Sequence, residues 1–266
     1  MTSAIDFLKQ KIKTQQHNIA SYTFNGHTVW IKKASRRHPM WLYRLLGWVM
    51  RFLGIQALMP VPNLGGAQAI STEVTRLKEL AALGIRVPKV LAHYKHGLML
   101  EDVGNHAQPA QHIDALLANA ESPSACLELF KLTVRTILEV HQRGAWLSEA
   151  FARNILMDES GRLAFIDFED DPATYMPPVC CYARDWLCFM FSVAARLNHH
   201  QIQEVAIDYL KQQLAKEPAA TQHLVFTACE RLSWLRKLPV QKLGKDGQRL
   251  LATAELLNLM RTETSL

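Results

Sequence analysis

The sequence predicts an α+β protein of two lobes, a small β-rich lobe followed by a mostly helical one. Three observations carry this. Strand patterns with one helix among them fill residues 20–101, and after Gly104 helical patterns dominate. One short hairpin pattern over 154–167 interrupts the helices. Strands first and helices later is the order of a segregated α+β architecture. The lobes are expected at 1–104 and 105–266, with a basic, aromatic insertion at 34–70 in the first.

Each element follows from its residues. Ile5, Leu8 and Ile12 form one stripe, which predicts a short helix over 4–16. The run from Tyr22 to Ile31 is aromatic and β-branched around Asn25-Gly26, a strong hairpin signal. Ser71-Thr72 can cap a helix over 73–83, which stops near Gly84. Residues 87–91 and 97–101 read as two further strands. Helices are expected near 111–119, 124–143, 184–197, 201–215, 220–236 and 246–261. Asn154–Met157 and Leu163–Asp167, joined through Ser160-Gly161, make the inserted hairpin.

Composition narrows the class. With 266 residues, 49% of them hydrophobic, the chain can bury a core without staples, and disordered or collagen-like chains are excluded. Five cysteines, an odd number without zinc spacing, indicate a reduced chain with no disulfide framework. The start, MTSAIDFLKQKIK, turns polar and basic too early for a cleavable signal, and no run of 18 uncharged apolar residues exists. A cytoplasmic location is therefore expected. Residues 1–100 hold 14 Lys+Arg against 3 Asp+Glu, a balance of +11, and the remainder holds 16 against 21, a balance of −5. A basic first half favours an anionic partner.

Three separated pieces suit one chemistry. Val29-Trp30-Ile31-Lys32 is a strand ending in a lysine, Glu73 opens the next helix, and Asn154 and Asp167 sit on the two arms of the later hairpin. Transfer of a phosphoryl group needs charge neutralised around the phosphates more than it needs covalent chemistry. A strand lysine can hold phosphates, a helix glutamate can fix that lysine, and Asn and Asp oxygens suit Mg²⁺.

In order and spacing these residues resemble the protein-kinase-like superfamily over roughly residues 20–200, nearest to bacterial kinases of the lipopolysaccharide core that phosphorylate heptose or Kdo. The resemblance implies the two-lobed kinase-like fold, with ATP and Mg²⁺ as cofactors. It makes Lys32 the phosphate-holding lysine, Glu73 its partner, and Asn154 and Asp167 the metal ligands. Glu101 and Val103 fall in the adenine-binding hinge, and Asp185 is the buried helix Asp that braces the catalytic loop. The implied acceptor is a sugar hydroxyl of a membrane-anchored glycolipid.

Three departures from that pattern bear on activity. The catalytic Asp position, five residues before the metal-binding Asn, holds Glu149. Its extra methylene shifts a carboxylate whose geometry is strict, so Glu149 serves as the base or marks a pseudokinase that binds nucleotide or lipid without transfer. The Gly-rich phosphate loop is reduced to Gly26 in a tight turn. Trp30 replaces the small residue two places before the lysine, which narrows room for adenine unless the ring turns away. A register slip by one would make Lys33 the cleft lysine; Lys32 is preferred because Val29 and Ile31 then face the core.

Forty residues separate Lys32 from Glu73. Within them, Trp41, Leu45, Trp48 and Phe52 lie at helical spacing beside Arg44 and Arg51, between Pro39 and Pro60. Two readings stand for residues 40–59: a helix lying at the inner face of the inner membrane, or a helix packed on the first lobe. No groove-reading motif points to nucleic acid.

Overall fold

The computed structural model describes residues 3–34, 54–63, 65–104, 108–237 and 244–261. The expected α+β organisation is present, in two compact units. Unit 1 takes the described residues within Met1–Leu46, Pro60–Gln111 and Leu156–Thr174, and unit 2 those within Gly47–Met59, His112–Ile155 and Tyr175–Leu266.

Unit 1 is built on a four-stranded antiparallel sheet of β1 (Ile19–Phe24), β2 (His27–Lys33), β3 (Val90–Tyr94) and β4 (Gly97–Glu101), in the order β1-β2-β4-β3. Asn25 and Gly26 turn β1 into β2 with φ of 50° and 82°, the left-handed pair that a two-residue hairpin needs. Alternation along β2 sends Val29 and Ile31 to one face, where both are buried with Leu8 and Met99. Helix α1 (Ala4–Thr14) supplies Leu8 and covers that face, and the Ser3 hydroxyl caps its start by accepting from the Asp6 amide at 3.2 Å. Trp30 and Lys32 take the opposite face, opposite Leu100 and Leu98 of β4.

Helix α2 (Gly66–Ala82) packs against β3 and β4 through Ile70, Val74, Leu77 and Leu80. It begins seven residues before the expected start, so Ser71 and Thr72 are interior and not caps. The apolar face from Ala69 onward carries the helix back to the Gly65-Gly66 break, where the Asn63 side chain accepts from the Gly65 amide at 2.9 Å. Strand β3 lies three residues later than expected because Pro88 has no amide to donate to a ladder. Between β6 (Ile155–Met157) and β7 (Leu163–Phe165), the Asp158 carboxylate accepts from the Ser160 and Arg162 amides at 2.9 and 3.0 Å and pairs with Arg86 at 2.7 Å. The Phe165 amide donates to the Arg86 carbonyl at 3.0 Å, which ties β7 to the stretch before β3.

Unit 2 is helical. A short strand β5 (Gln111–His112) leads into α3 (Ile113–Ala118), followed by α4 (Pro123–Gln142), α5 (Pro178–His199), α6 (Gln203–Leu214), α7 (Ala219–Leu232) and α8 (Gly244–Arg261). Helix α5 starts six residues before its expected position because Pro178 suits the first helical turn. Residues 233–237 tighten into a 3₁₀ turn where the α-helix was expected to continue. Trp186, Phe130 and Phe189 are buried at the centre, the two Phe rings stacked 5.6 Å apart. All five cysteines are buried, and none is in a disulfide. Among the described residues no helix is long and apolar enough to cross a membrane.

Candidate functional site

In unit 1, β2 and α2 bring a lysine against a glutamate. Lys32 Nζ lies 3.0 Å from Glu73 Oε2 and donates to Oε1 at 3.2 Å. It also meets Asp167 Oδ1 at 2.7 Å and Glu169 Oε1 at 2.9 Å. The Lys32 and Glu73 side chains are 14% and 2% exposed, whereas Asp167 is 47% exposed. Burial disfavours the Lys32 charge, but Glu73, Asp167 and Glu169 outweigh it and hold the ammonium well above lysine's usual range. Burial, with Asp167 and Glu169 adding to it, pushes the Glu73 carboxyl up against the pull of Lys32. Lys33 turns elsewhere: its Nζ donates to the Gln15 carbonyl at the end of α1.

Asp167 carries φ of 73°, a left-handed conformation that Asp tolerates better than most residues. The fully buried ring of Phe168 anchors the chain just after it. One lysine faces three carboxylates here, with a half-exposed Asp at the edge. That oxygen-rich surplus of negative charge fits a divalent cation of the hard type. Among the described residues, no cluster of three or more His, Cys, Asp or Glu is arranged to hold a metal by itself.

The expected hinge is a different construction from an open backbone edge. The Trp30 indole donates to Asp102 Oδ1 at 2.7 Å, and Asp102 Oδ2 accepts from the Gly104 amide at 3.1 Å. The Trp30 ring therefore stays on the Lys32 face of β2. Arg86 Nη2 donates to the Val103 carbonyl at 2.7 Å, and the Glu101 amide donates to the Lys89 carbonyl at 2.9 Å.

In unit 2, residues 147–154 form a loop braced by α5. Asp185, fully buried, accepts from the Leu147 amide at 2.5 Å and lies 3.3 Å from His141 Nε2. Glu217 closes the other side of that imidazole at 2.6 Å and accepts from the Trp186 indole at 2.9 Å. Burial opposes a charged His141, but the bonds to Asp185 and Glu217 raise its pKa. Arg184, the residue before Asp185, donates to the Ser148 carbonyl at 2.9 Å and pairs with Glu149 Oε1 at 2.6 Å. Ser148 is buried with φ of 68°, which turns the chain so that Glu149 leaves the loop one-third exposed. Asn154 is nearly buried; its side-chain nitrogen donates to the Glu149 carbonyl at 3.3 Å, so Oδ1 is the oxygen it can offer a cation.

Sequence reasoning missed four contributors. Glu169 is the third carboxylate on Lys32, and its position two residues past Asp167 was a usable signal. Asp102 as the partner of Trp30, Arg86 on Val103, and Arg184 on Glu149 depend on tertiary approach and had none. Of the segment read as membrane-docking, residues 40–53 lie outside the described residues; Ile55 and Ala57 beyond them are buried in unit 2.

Residues 67–175 match the RIO domain, of the atypical protein-kinase-like superfamily. The matched stretch contains Glu73, Glu101, Val103, Glu149, Asn154 and Asp167, while Lys32 precedes it. The match supports an ATP-using, kinase-like chain and does not reach the narrower likeness to lipopolysaccharide core kinases. No curated protein matches the chain significantly. Among solved structures, a complexed form of the MAP kinase LmaMPK10 from Leishmania major aligns at 12% identity and a TM-score of 0.38, covering 97% of this chain and 88% of that one. A second structure of that kinase gives 12% identity and a TM-score of 0.34, covering 98% and 87%. At those scores the likeness adds nothing to the assignment.

Proposed function

We propose that this kinase-like chain is an ATP-dependent phosphotransferase that acts on a sugar hydroxyl of a membrane-anchored glycolipid such as lipopolysaccharide core. The observation that carries the reading is the buried Lys32–Glu73 pair with Asp167 on a left-handed residue beside it. A lysine fixed by a buried glutamate is a positioned cation, and phosphoryl transfer rests on such positioned charge. Lys32 holds the nucleotide's phosphates and Glu73 orients Lys32. Asp167 and Asn154 supply oxygens to Mg²⁺, which when bound neutralises phosphate charge. Glu101 and Val103 flank the adenine. Glu149 orients the acceptor hydroxyl and takes its proton as the hydroxyl oxygen bonds to the γ-phosphorus and the bond to ADP breaks. The glycolipid part rests on the +11 balance of the first 100 residues and on the sequence resemblance.

The test is incubation with Mg²⁺, γ-labelled ATP and lipopolysaccharide core glycolipid, with the Asp167→Asn protein as control. Label on the glycolipid above that control is the expected result. Label no greater than the control overturns transfer to this acceptor. The Glu149–Arg184 pair at 2.6 Å favours a second reading, a pseudokinase whose catalytic carboxylate is occupied. It predicts nucleotide binding, read as thermal stabilisation by Mg-ATP, without ADP release.

A further inference from the structure

Lys32 is held more fully than a phosphate-binding lysine needs. An ammonium has three N–H donors. Glu73 Oε2, Asp167 Oδ1 and Glu169 Oε1 stand 3.0, 2.7 and 2.9 Å from its Nζ, so three carboxylates match three donors. Glu73, buried on α2, suffices to fix the lysine. The other two take the donors that a phosphate would use. All four residues belong to unit 1.

The two further carboxylates differ in how firmly they are placed. Asp167 is 47% exposed and can turn to water, whereas Glu169 is 16% exposed. Asn63 holds Glu169 from the other side, its Nδ2 donating to Oε2 at 3.0 Å while Oε1 faces Lys32. Oδ1 of the same Asn63 accepts from the Gly65 amide at 2.9 Å, at the break before α2. Both oxygens of Glu169 and both ends of the Asn63 amide are thus engaged. The fully buried Phe168 fixes the chain between Asp167 and Glu169. Glu169 is therefore the set competitor for Lys32, and Asp167 the loose one.

A nucleotide's polyphosphate is strongly anionic. Arriving alone, it meets one ammonium among three carboxylates, and like charges at contact distance repel. It must also displace Glu169 from a charge-assisted contact. The oxygens of Asp167 and Glu169 already converge on one small cation, and Mg²⁺ is bound by one or two carboxylates together with phosphate oxygens. With both carboxylates engaged in that way, Lys32 keeps Glu73 and turns its remaining donors to phosphate.

We propose that Glu169, held by Asn63, makes this site selective for metal-complexed nucleotide: it occupies Lys32 against free polyphosphate and yields the lysine to a polyphosphate that brings a divalent cation. The proposal rests on the reading of Lys32 as the phosphate-holding lysine, and the measurement separates the two.

The experiment is calorimetric titration of the full chain with ATP, once in Mg²⁺ and once in EDTA, read as the ratio of the two dissociation constants. Wild type should bind ATP at least about tenfold more weakly in EDTA. Glu169→Gln keeps an oxygen for Asn63 and removes the charge. It should tighten binding in EDTA about tenfold, the loss of one charge-assisted competitor, and bind ATP in Mg²⁺ no better than wild type. Asn63→Ala, which releases Glu169 from its anchor, should move the ratio in the same direction by less. Glu128→Gln, which removes an exposed carboxylate paired with Lys131 in unit 2, should leave the ratio unchanged. A carboxylate of purely structural value would weaken binding in both media alike. A wild-type ratio near one, or Glu169→Gln and Asn63→Ala both keeping the wild-type ratio, overturns the proposal and leaves Lys32 as the phosphate holder. ATP bound in neither medium, by wild type or by Glu169→Gln, overturns both readings.

Discussion

Replacing Lys32 by Met tests the cation at the centre of unit 1. The change keeps the length of the side chain and removes its charge, leaving Glu73 buried beside Asp167 and Glu169 without the ammonium they share. Breaking a buried pair from one side costs roughly 3–5 kcal/mol. The lower end applies, because half-exposed Asp167 can turn to water while Glu73 cannot. About 3 kcal/mol corresponds to a fall in Tm of roughly 6–12 °C for a domain of this size.

The effect also has a pH signature. The Glu73 carboxyl is held above its usual range in the folded chain, so the folded state keeps a proton that the unfolded state has released. Stability contributed this way falls as pH rises from the usual carboxylate range through the raised value. Losing Lys32 removes the pull that opposes the rise, so Lys32→Met should widen that window upward and melt lower at pH 8 than at pH 6. Wild-type Lys32 has its own pKa raised, so its contribution is complete below the ordinary lysine value and is lost only as pH climbs through the raised one. Thermal melts of wild type, Lys32→Met, Glu73→Leu and the double variant at both pH values complete the test. The double variant should recover part of the loss, because an apolar pair replaces a lone buried charge. A Lys32→Met protein that melts like wild type at pH 8, or a double variant whose loss is the sum of the single ones, refutes the buried pair.

Other consequences are as direct. Asp167→Asn keeps the tolerance for a left-handed residue and removes the charge, so it should fold normally yet lose Mg²⁺-dependent thermal stabilisation by ATP; undiminished stabilisation takes Asp167 out of the metal site. His141 has its pKa raised between Asp185 and Glu217, so its contribution to stability is full below the ordinary histidine pKa and falls as pH rises through the higher one; Glu217→Gln should flatten that fall in melts from pH 6 to pH 9, and an unchanged slope removes Glu217 from the assignment. If residues 40–59 dock on membranes, wild type should sediment with anionic vesicles at low salt and less at high salt, and Ser at Trp41, Trp48 and Phe52 should release it. Indifference to vesicles, with those changes unfolding the protein, would leave the segment as packing.

Much of the fold was legible because its signals are local. Asn25-Gly26 fixes the first hairpin, and alternation at Val29 and Ile31 fixes which face of β2 is buried, which in turn sets Lys32 and not Lys33 toward Glu73. Helix starts were the weak point. Ser71-Thr72 has the composition of a cap but sits inside α2, where the apolar stripe of Ala69, Ile70, Val74 and Leu77 outweighs local capping preference. The site was legible only where residues lie near each other in sequence or follow a motif. The partners of Trp30, Val103 and Glu149 come from 72, 17 and 35 residues away, and no local pattern marks Asp102, Arg86 or Arg184 for those roles.

Arg184 changes how the glutamate at position 149 should be weighed. Neighbouring residues on α5 serve the same loop: Asp185 takes the Leu147 amide, while Arg184 takes the Ser148 carbonyl and the Glu149 carboxylate. The longer side chain of Glu149 is thus matched by a guanidinium that receives it at 2.6 Å, itself anchored to the Met59 carbonyl at 3.1 Å. Phosphoryl transfer through a loose transition state asks its catalytic carboxylate chiefly to orient the nucleophile, and asks little of it as a base. A glutamate clamped in one place meets that demand, even though its hydrogen-bonding capacity is shared with Arg184. The departure at 149 therefore weighs less against the proposed transfer than loss of Lys32 would, the cation that meets Glu73, Asp167 and Glu169 at 3.0, 2.7 and 2.9 Å.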